Sequence, residues 1–177
     1  MEKRTFENLT IEEGEELIFP CDVEVTGHLI INRGILIVAG NLRLSNLDSD
    51  FIINGGDVSV GSLTTFGRRI QIKDSDLYVN GDLKSNSIFS DSDILVGGDS
   101  YVTNVSCLNY MVKGFNNSCN ITAIQDIYIG ENSDSCELTC RDLYVGGNAD
   151  VNGSNISVRG SLYVAKSISN SFQIAVG

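Results

Sequence analysis

Short stretches in which apolar and polar residues alternate recur along the chain, each closed by glycine or asparagine. The clearest copy is residues 142–147, Asp-Leu-Tyr-Val-Gly-Gly, and similar copies begin at Asp76, Asp93 and Asp126. Alternation with a period of two is typical of a β-strand with one buried face, and glycine tolerates the positive φ of a tight turn. The pattern therefore predicts a series of short strands separated by turns.

The copies are evenly spaced along the C-terminal two thirds of the chain. Counting a degenerate copy at Asn109, they begin at positions 76, 93, 109, 126 and 142, in steps of 16 or 17 residues. A fixed repeat this short is the signature of a β-solenoid, in which every repeat forms one turn of a coil. Two further apolar positions follow within each repeat, as Leu83 and Ile88 follow Asp76, so three short strands per turn are predicted.

The whole of residues 1–177 is predicted to be one domain, an all-β, single-stranded parallel β-helix of roughly ten or eleven turns. Earlier repeats begin at Asp22, Gly34 and Asp50, and the longer gap to Asp76 predicts an insertion at residues 61–73. Residues 1–21 are expected to form an acidic cap turn. The repeating hexapeptide of left-handed β-helices is absent, so we expect a right-handed coil.

Residues one and three positions after each repeat start are expected to point into the core of the coil. They are leucine or β-branched throughout, as stacked strands with a shared core require. These predicted core residues are Leu77, Val79, Ile94, Val96, Ile127, Ile129, Leu143 and Val145.

The residue two positions after each start is expected to point outward, yet this position is mostly apolar. A sheet face that meets only water should be polar, so the column predicts an interaction surface for a partner or a second copy. Alternatively, the column is an aromatic ladder that only stabilises the sheet, or it is covered by another part of the chain. The predicted stripe is Leu36, Ile52, Tyr78, Leu95, Met111, Tyr128 and Tyr144.

Charge limits the classes of partner. The net charge is −11, from 12 basic and 23 acidic residues, and residues 1–24 alone carry eight acidic and two basic side chains. A binding site for nucleic acid needs a basic patch, so nucleic acid is not expected as a partner. No run approaches the ~18 apolar residues of a membrane-spanning helix, and the first residues lack an apolar leader segment. We therefore expect a cytoplasmic protein.

Carboxylates and thiols recur in the repeats and raise the question of a metal site. A column of Asp50, Asp76, Asp93, Asp126 and Asp142 could attract Ca²⁺, or each Asp could cap its own corner as an Asx turn. Capping is favoured because the calcium-binding nonapeptide repeat is absent. The five cysteines are at positions 21, 107, 119, 136 and 140. They lack nearby histidines for zinc, so we expect buried, reduced thiols, no metal and no cofactor.

Catalytic patterns are weak. The chain has no Ser/His/Asp arrangement, no neighbouring Cys/His pair and no glycine-rich phosphate loop, and its turns are too short to build a cleft. A non-enzymatic structural protein that associates with itself is the preferred interpretation. The alternatives are a binding module such as an adhesin or phage-fibre domain, an acidic DNA mimic, and a carbohydrate-active enzyme using a carboxylate pair.

The two ends of the predicted coil differ in chemistry. Residues 12–16, Glu-Glu-Gly-Glu-Glu, would repel a second copy of the same end, whereas residues 172–177 form an apolar strand. An unpaired strand at the end of a sheet invites pairing with another chain. End-to-end association is therefore predicted through Phe172, Ile174 and Val176.

The Gly-Asp-apolar turns, such as Gly56-Asp57-Val58 and Gly81-Asp82-Leu83, and the repeat of 16–17 residues resemble bactofilins, the polymer-forming bacterial cytoskeletal β-helices. The resemblance covers about residues 20–177 and is one of repeat style. It implies a cytosolic scaffold that forms filaments through its ends without a nucleotide. It also implies that Phe172 lies where that family plugs its terminal turn.

Overall fold

The computed structural model describes residues 2–67, 69–151, 155–169 and 173–177, and for Cys136 the backbone alone. These residues form strands and turns, with no helix among them. The strands are β1 Lys3–Phe6, β2 Leu9–Ile11, β3 Glu16–Phe19, β4 Asp22–Val25, β5 Leu29–Asn32, β6 Ile35–Leu44, β7 Asp50–Asn54, β8 Asp57–Thr65, β9 Arg69–Lys73, β10 Leu77–Val79, β11 Leu83–Ser90, β12 Ile94–Val96, β13 Ser100–Cys107, β14 Tyr110–Val112, β15 Asn116–Ala123, β16 Asp126–Ile129, β17 Ser133–Cys140, β18 Asp142–Val145, β19 Ala149–Asp150, β20 Asn155–Val158, β21 Leu162–Val164, β22 Ile168–Ser169 and β23 Gln173–Val176.

The chain coils into a β-solenoid of about nine turns, which confirms the predicted fold class. Each strand pairs in parallel with the strand one turn away. The turns shorten along the coil: Leu29 pairs with Phe51, 22 residues on, whereas Ile94 pairs with Tyr110, 16 residues on. Because parallel strands lie ~4.8 Å apart, equivalent residues of successive turns stack in columns along the axis.

The coil has three faces, which we number in chain order. Face 1 contains β1, β4, the C-terminal parts of β6 and β8, the N-terminal parts of β11, β13, β15 and β17, then β19 and β22. Face 2 contains β2, β5, β7, β9, the C-terminal parts of β11, β13, β15 and β17, then β20 and β23. Face 3 contains β3, the N-terminal parts of β6 and β8, then β10, β12, β14, β16, β18 and β21.

The predicted ten or eleven turns were too many. Asp22, Gly34 and Asp50 resemble one another as strand starts, but they lead into faces 1, 3 and 2 respectively. Counting each as a new turn counts faces as turns. The same confusion produced the predicted insertion: residues 61–65 are the end of β8 and residues 69–73 are β9, and both strands pair in the regular sheet.

Residues 1–21 supply the first turn of the coil. β1, β2 and β3 pair in register with β4, β5 and β6, and the rings of Phe6 and Phe19 meet with centroids 5.6 Å apart. The acidic side chains of this turn, including Glu12 and Glu13, are exposed. The first turn is therefore a regular coil with an acidic surface.

The core is a set of stacked apolar columns that fill the coil. All of the inward residues predicted from the repeats are buried, including Leu77 and Val145. At ~1.5–3 kcal/mol for each fully buried aliphatic side chain, these columns dominate the stability of the coil.

The glycine that closes each repeat is needed for a reason other than the predicted positive φ. Gly146 and Gly97 are not among the residues with positive φ, which include Gly55 and Gly56 at another corner. A Cβ on Gly146 would instead clash with the carbonyl oxygen of Gly130 in the preceding turn. Close stacking of successive corners therefore requires glycine there.

Candidate interaction surface

One outward column on face 3 is almost entirely apolar, and we call it the face-3 column. Each member lies directly beside the next in the parallel register. Eight steps of ~4.8 Å give the column a length of about 38 Å. Its nine members, in chain order, are Ile18, Ile37, Ser59, Tyr78, Leu95, Met111, Tyr128, Tyr144 and Tyr163.

The column is open to solvent over most of its length. Ile18 is 59% exposed, Met111 40% and Tyr163 54%, and Tyr78, Tyr128 and Tyr144 lie between 37% and 42%. Scattered exposed apolar residues are normal on a protein surface, but a contiguous apolar strip of this length is typical of an interaction site.

The tyrosines at the C-terminal end of the column stack on one another. Tyr128 and Tyr144 have ring centroids 4.7 Å apart, and Tyr144 and Tyr163 4.9 Å apart, with planes within 8° of parallel. The register of the strands sets this spacing, since successive turns lie at nearly the same distance. The rings contact each other through their faces and direct their edges away from the coil.

A shallow depression of about 220 Å³ interrupts the column near its middle. Tyr78, Leu95, Met111 and Lys113 are among its lining residues. It forms because two flexible aliphatic side chains stand between the larger rings of Tyr78 and Tyr128. The surface is thus high at the tyrosines and low at Leu95 and Met111.

Carboxylates line the edge of the column where face 2 turns into face 3. Tyr78 donates its hydroxyl hydrogen to Asp76 Oδ2 at 3.1 Å, and this hydrogen bond is the main reason that the Tyr78 pKa is raised. Arg141 bridges two turns, donating from Nε to Asp142 at 2.9 Å and from the guanidinium to Asp126 at 2.8 Å. This edge is therefore hydrophilic beside an apolar strip.

Five of the seven predicted stripe residues lie in the face-3 column: Tyr78, Leu95, Met111, Tyr128 and Tyr144. The other two do not. Leu36 points into the core with no exposed surface, and Ile52 lies on face 2, between Ile30 and Gln71.

Three members of the column, Ile18, Ile37 and Tyr163, were not predicted from the sequence. Ile37 lies in a run of four apolar residues, where alternation gives no signal for which side faces out. Tyr163 follows Ser161-Leu162, so it lacks the Asp that marked the other strands.

The predicted carboxylate column is partly correct in position. Asp76, Asp93, Asp126 and Asp142 start neighbouring face-3 strands, whereas Asp50 lies on face 2 opposite Arg69. Asp76 Oδ1 accepts the backbone N–H of Asp93 in the next turn at 3.0 Å, and Asp142 Oδ1 accepts that of Ser161 at 2.7 Å.

These carboxylates therefore bond the corners of successive turns together, which is capping between turns in place of capping within one turn. Over the ranges that the structure describes, no group of three or more His, Cys, Asp or Glu side chains could hold a metal ion.

The cysteines follow the prediction only in part. Cys107 and Cys140 are buried, and burial raises the pKa of each thiol to about 12. Cys21 is half-buried, and Cys119 is exposed, contrary to the prediction. The backbone register places Cys136 one turn from Cys119, as its spacing predicted.

The residues predicted for end-to-end contact lie on β23 or beside it. Ile174 and Val176 continue the inward columns of Ile156 and Val158, yet they are 45% and 52% exposed. Phe172 lies outside the described residues. End-to-end contact through these positions stays a prediction.

A buried polar network lies inside the coil, where an apolar core was expected. The Tyr110 hydroxyl and Ser100 Oγ lie 2.5 Å apart, and Asn116 donates to Ser135 at 2.9 Å and accepts from Ser118 at 2.9 Å. Tyr110 is fully buried, and this burial raises its pKa. In the sequence, serine and asparagine at these positions look like turn residues, so the period gave no signal for the network.

Comparison with protein-family models, with curated protein sequences and with solved structures finds no significant match. No helix long and apolar enough to cross a membrane occurs in the described residues.

Proposed function

We propose that this chain is a non-enzymatic structural protein that associates with itself through the face-3 column. The observation that carries the proposal is the column itself: nine positions in unbroken register, eight of them apolar or aromatic. Water contact with apolar surface costs about 25 cal/mol per Å². A surface of this kind gains free energy when a second copy covers it.

The repeat architecture supports a scaffold role. A stack of similar turns gives a stiff rod with one face of nearly constant spacing, which suits regular assembly. The repeats also resemble those of bactofilins, and filament formation in that family agrees with self-association here. The half-exposed Ile174 and Val176 offer a second contact surface at the end of the coil.

The test introduces a charge into the column and measures assembly. Met111→Lys places an ammonium group on a side chain that is 40% exposed in the middle of the column. The matched control is Thr122→Lys, which adds the same charge to an exposed outward position of face 2. Sedimentation velocity and negative-stain electron microscopy over a concentration series report the size of the assemblies.

We expect the wild-type protein and Thr122→Lys to form larger species as concentration rises, and Met111→Lys to remain smaller. A wild-type protein that stays monomeric up to the highest concentration, or equal assembly of both variants, would overturn the proposal. Circular dichroism of each variant checks that the coil is intact.

A further inference from the structure

The face-3 column changes in height from one end to the other. Its C-terminal end presents the stacked rings of Tyr128, Tyr144 and Tyr163. Its N-terminal end presents two isoleucines and a serine, Ile18, Ile37 and Ser59. Leu95 is the fifth of the nine members and so stands at the centre. Two such columns laid side by side therefore fit differently in the two possible directions.

We propose that two copies pack face to face and antiparallel through the face-3 column, about a two-fold axis that passes through Leu95. The proposal rests on the self-association proposed above and adds its geometry. In this arrangement every bulky residue lies opposite a smaller one across the interface. The opposed pairs are Ile18 with Tyr163, Ile37 with Tyr144, Ser59 with Tyr128, Tyr78 with Met111, and Leu95 with its own copy.

The depression in the middle of the column supports this register. It is lined in part by Met111 and Lys113 and has a volume of about 220 Å³. The antiparallel arrangement brings Tyr78 of the second copy over Met111, where its ring enters this depression. A parallel arrangement would set ring against ring at Tyr78, Tyr128 and Tyr144, and would leave the depressions facing each other.

Charge at the two ends also favours the antiparallel direction. Residues 1–24 carry a net charge of −6, whereas residues 155–177 contain Arg159 and Lys166 and no acidic residue. The two-fold axis keeps each edge of face 3 on its own side, so exposed Glu16 lies near Arg159 of the second copy and Asp22 near Lys166. A parallel pair would bring the two acidic ends together.

The centre of the interface carries a small opposing effect. The two-fold axis brings Asp93 near the same residue of the second copy. Facing sheets lie ~10 Å apart, which is longer than the Debye length of ~8 Å at physiological salt, so this repulsion is largely screened. The attraction at the ends and the fit of side chains therefore decide the direction.

The size of the strip predicts a weak dimer. A column about 38 Å long and roughly 10–13 Å wide, the length of a strand of three or four residues, covers about 400–500 Å² per copy. Stable interfaces bury about 800 Å² per partner, so the contact belongs with weak or transient ones. The experiments must therefore resolve association at high protein concentration.

The first test exchanges sizes across the interface. Ile37→Tyr places a ring against Tyr144 of the second copy and should weaken dimerisation about tenfold, the effect of removing one good contact. Adding Tyr144→Ile to the same chain restores a large residue opposite a small one, so the double variant should regain the wild-type dimerisation constant. Loss in both the single and the double variant would contradict the antiparallel arrangement.

The second test uses disulfide trapping in a Cys119→Ser background. Leu95→Cys should form a covalent dimer with itself under mild oxidation, and Ile37→Cys should cross-link only when mixed with Tyr144→Cys. Self-cross-linking of Ile37→Cys would show a parallel pair, and the antiparallel proposal would fail while self-association stood. A monomer in sedimentation with no cross-link in any variant would overturn the proposed function as well.

Discussion

The rings of Tyr128 and Tyr144 stack face to face, with centroids 4.7 Å apart and planes only 2° from parallel. Tyr163 continues the stack on the other side of Tyr144 at 4.9 Å. Residues 16 to 19 positions apart in sequence thus become neighbours because the parallel register aligns them. The stack joins three consecutive turns on the outside of the coil, in addition to the backbone hydrogen bonds.

Replacing the middle ring should therefore loosen the C-terminal turns. Tyr144→Ala removes two stacked pairs, each worth about 0.5–1.5 kcal/mol, so we expect the free energy of unfolding to fall by about 1–3 kcal/mol. Urea denaturation followed by circular dichroism measures the change. Met111→Ala is the control, because it is 40% exposed in the same column and stacks on no ring. An equal loss in both variants would show that the stack adds nothing.

The buried network predicts a cost for losing a single hydroxyl. Tyr110→Phe removes the group that bonds Ser100, and leaving a buried polar group without its partner costs about 1–3 kcal/mol. Adding Ser100→Ala removes the second polar group too, so the double variant should lose less than the sum of the two single variants. Denaturation midpoints at constant m-value measure the three changes. Additive losses would show that the two groups act independently.

Acid should weaken the corner at Asp142. The backbone N–H of Ser161 and then the Arg141 guanidinium stabilise the carboxylate, which lowers the Asp142 pKa below its usual value. The folded state therefore binds this proton less readily than the unfolded state, and the stabilisation is present above about pH 4 and is lost as pH falls further. We expect the melting temperature of Asp142→Asn to fall less than that of the wild type between about pH 5 and 3.

The remaining acid dependence of that variant has a second source. Glu24 also has a lowered pKa, chiefly because of its hydrogen bond with Lys3. It loses stabilisation in the same direction, so the difference between wild type and variant isolates the share of Asp142. Identical melting profiles would contradict a role for that carboxylate.

The end of the coil gives a separate prediction about assembly. Ile174→Asp places a carboxylate in an inward column at a residue that is 45% exposed, so it should reduce the size of any species that forms through this end. Ala175→Asp is the matched control, because the neighbouring residue is exposed and points outward on the same strand. Light scattering compares the two. Unchanged size for Ile174→Asp would show that this end is not a contact surface.

The fold was predictable because its signal is repeated many times. Leu143 and Val145 were placed in the core correctly, since each turn contributes the same alternating pair and errors at one turn do not affect the rest. The absolute register was less secure. In residues 35–38 every side chain is apolar, and a shift of one position exchanges the core and the surface, which is why Leu36 was predicted in place of Ile37.

Inward polar residues were out of reach of the sequence for a different reason. Asn116 and Ser135 have the composition of turn residues, and only the stacking of neighbouring turns shows that they bond each other inside the coil. Ile52 shows the same limit on the surface, because its repeat matches the others while the corner before it leads to a different face. Local pattern identifies a strand, but assigning its face requires the length of every preceding turn.

Each turn contacts only the turns before and after it, and this has a mechanical consequence. Tension applied to the two termini would load the coil along its axis, so the parallel strands at an end would come apart in sequence. Every released turn of 16 to 22 residues would add roughly 55–75 Å of extended chain. Under load the protein would lengthen in unequal steps, with its longest extensions released from the N-terminal half.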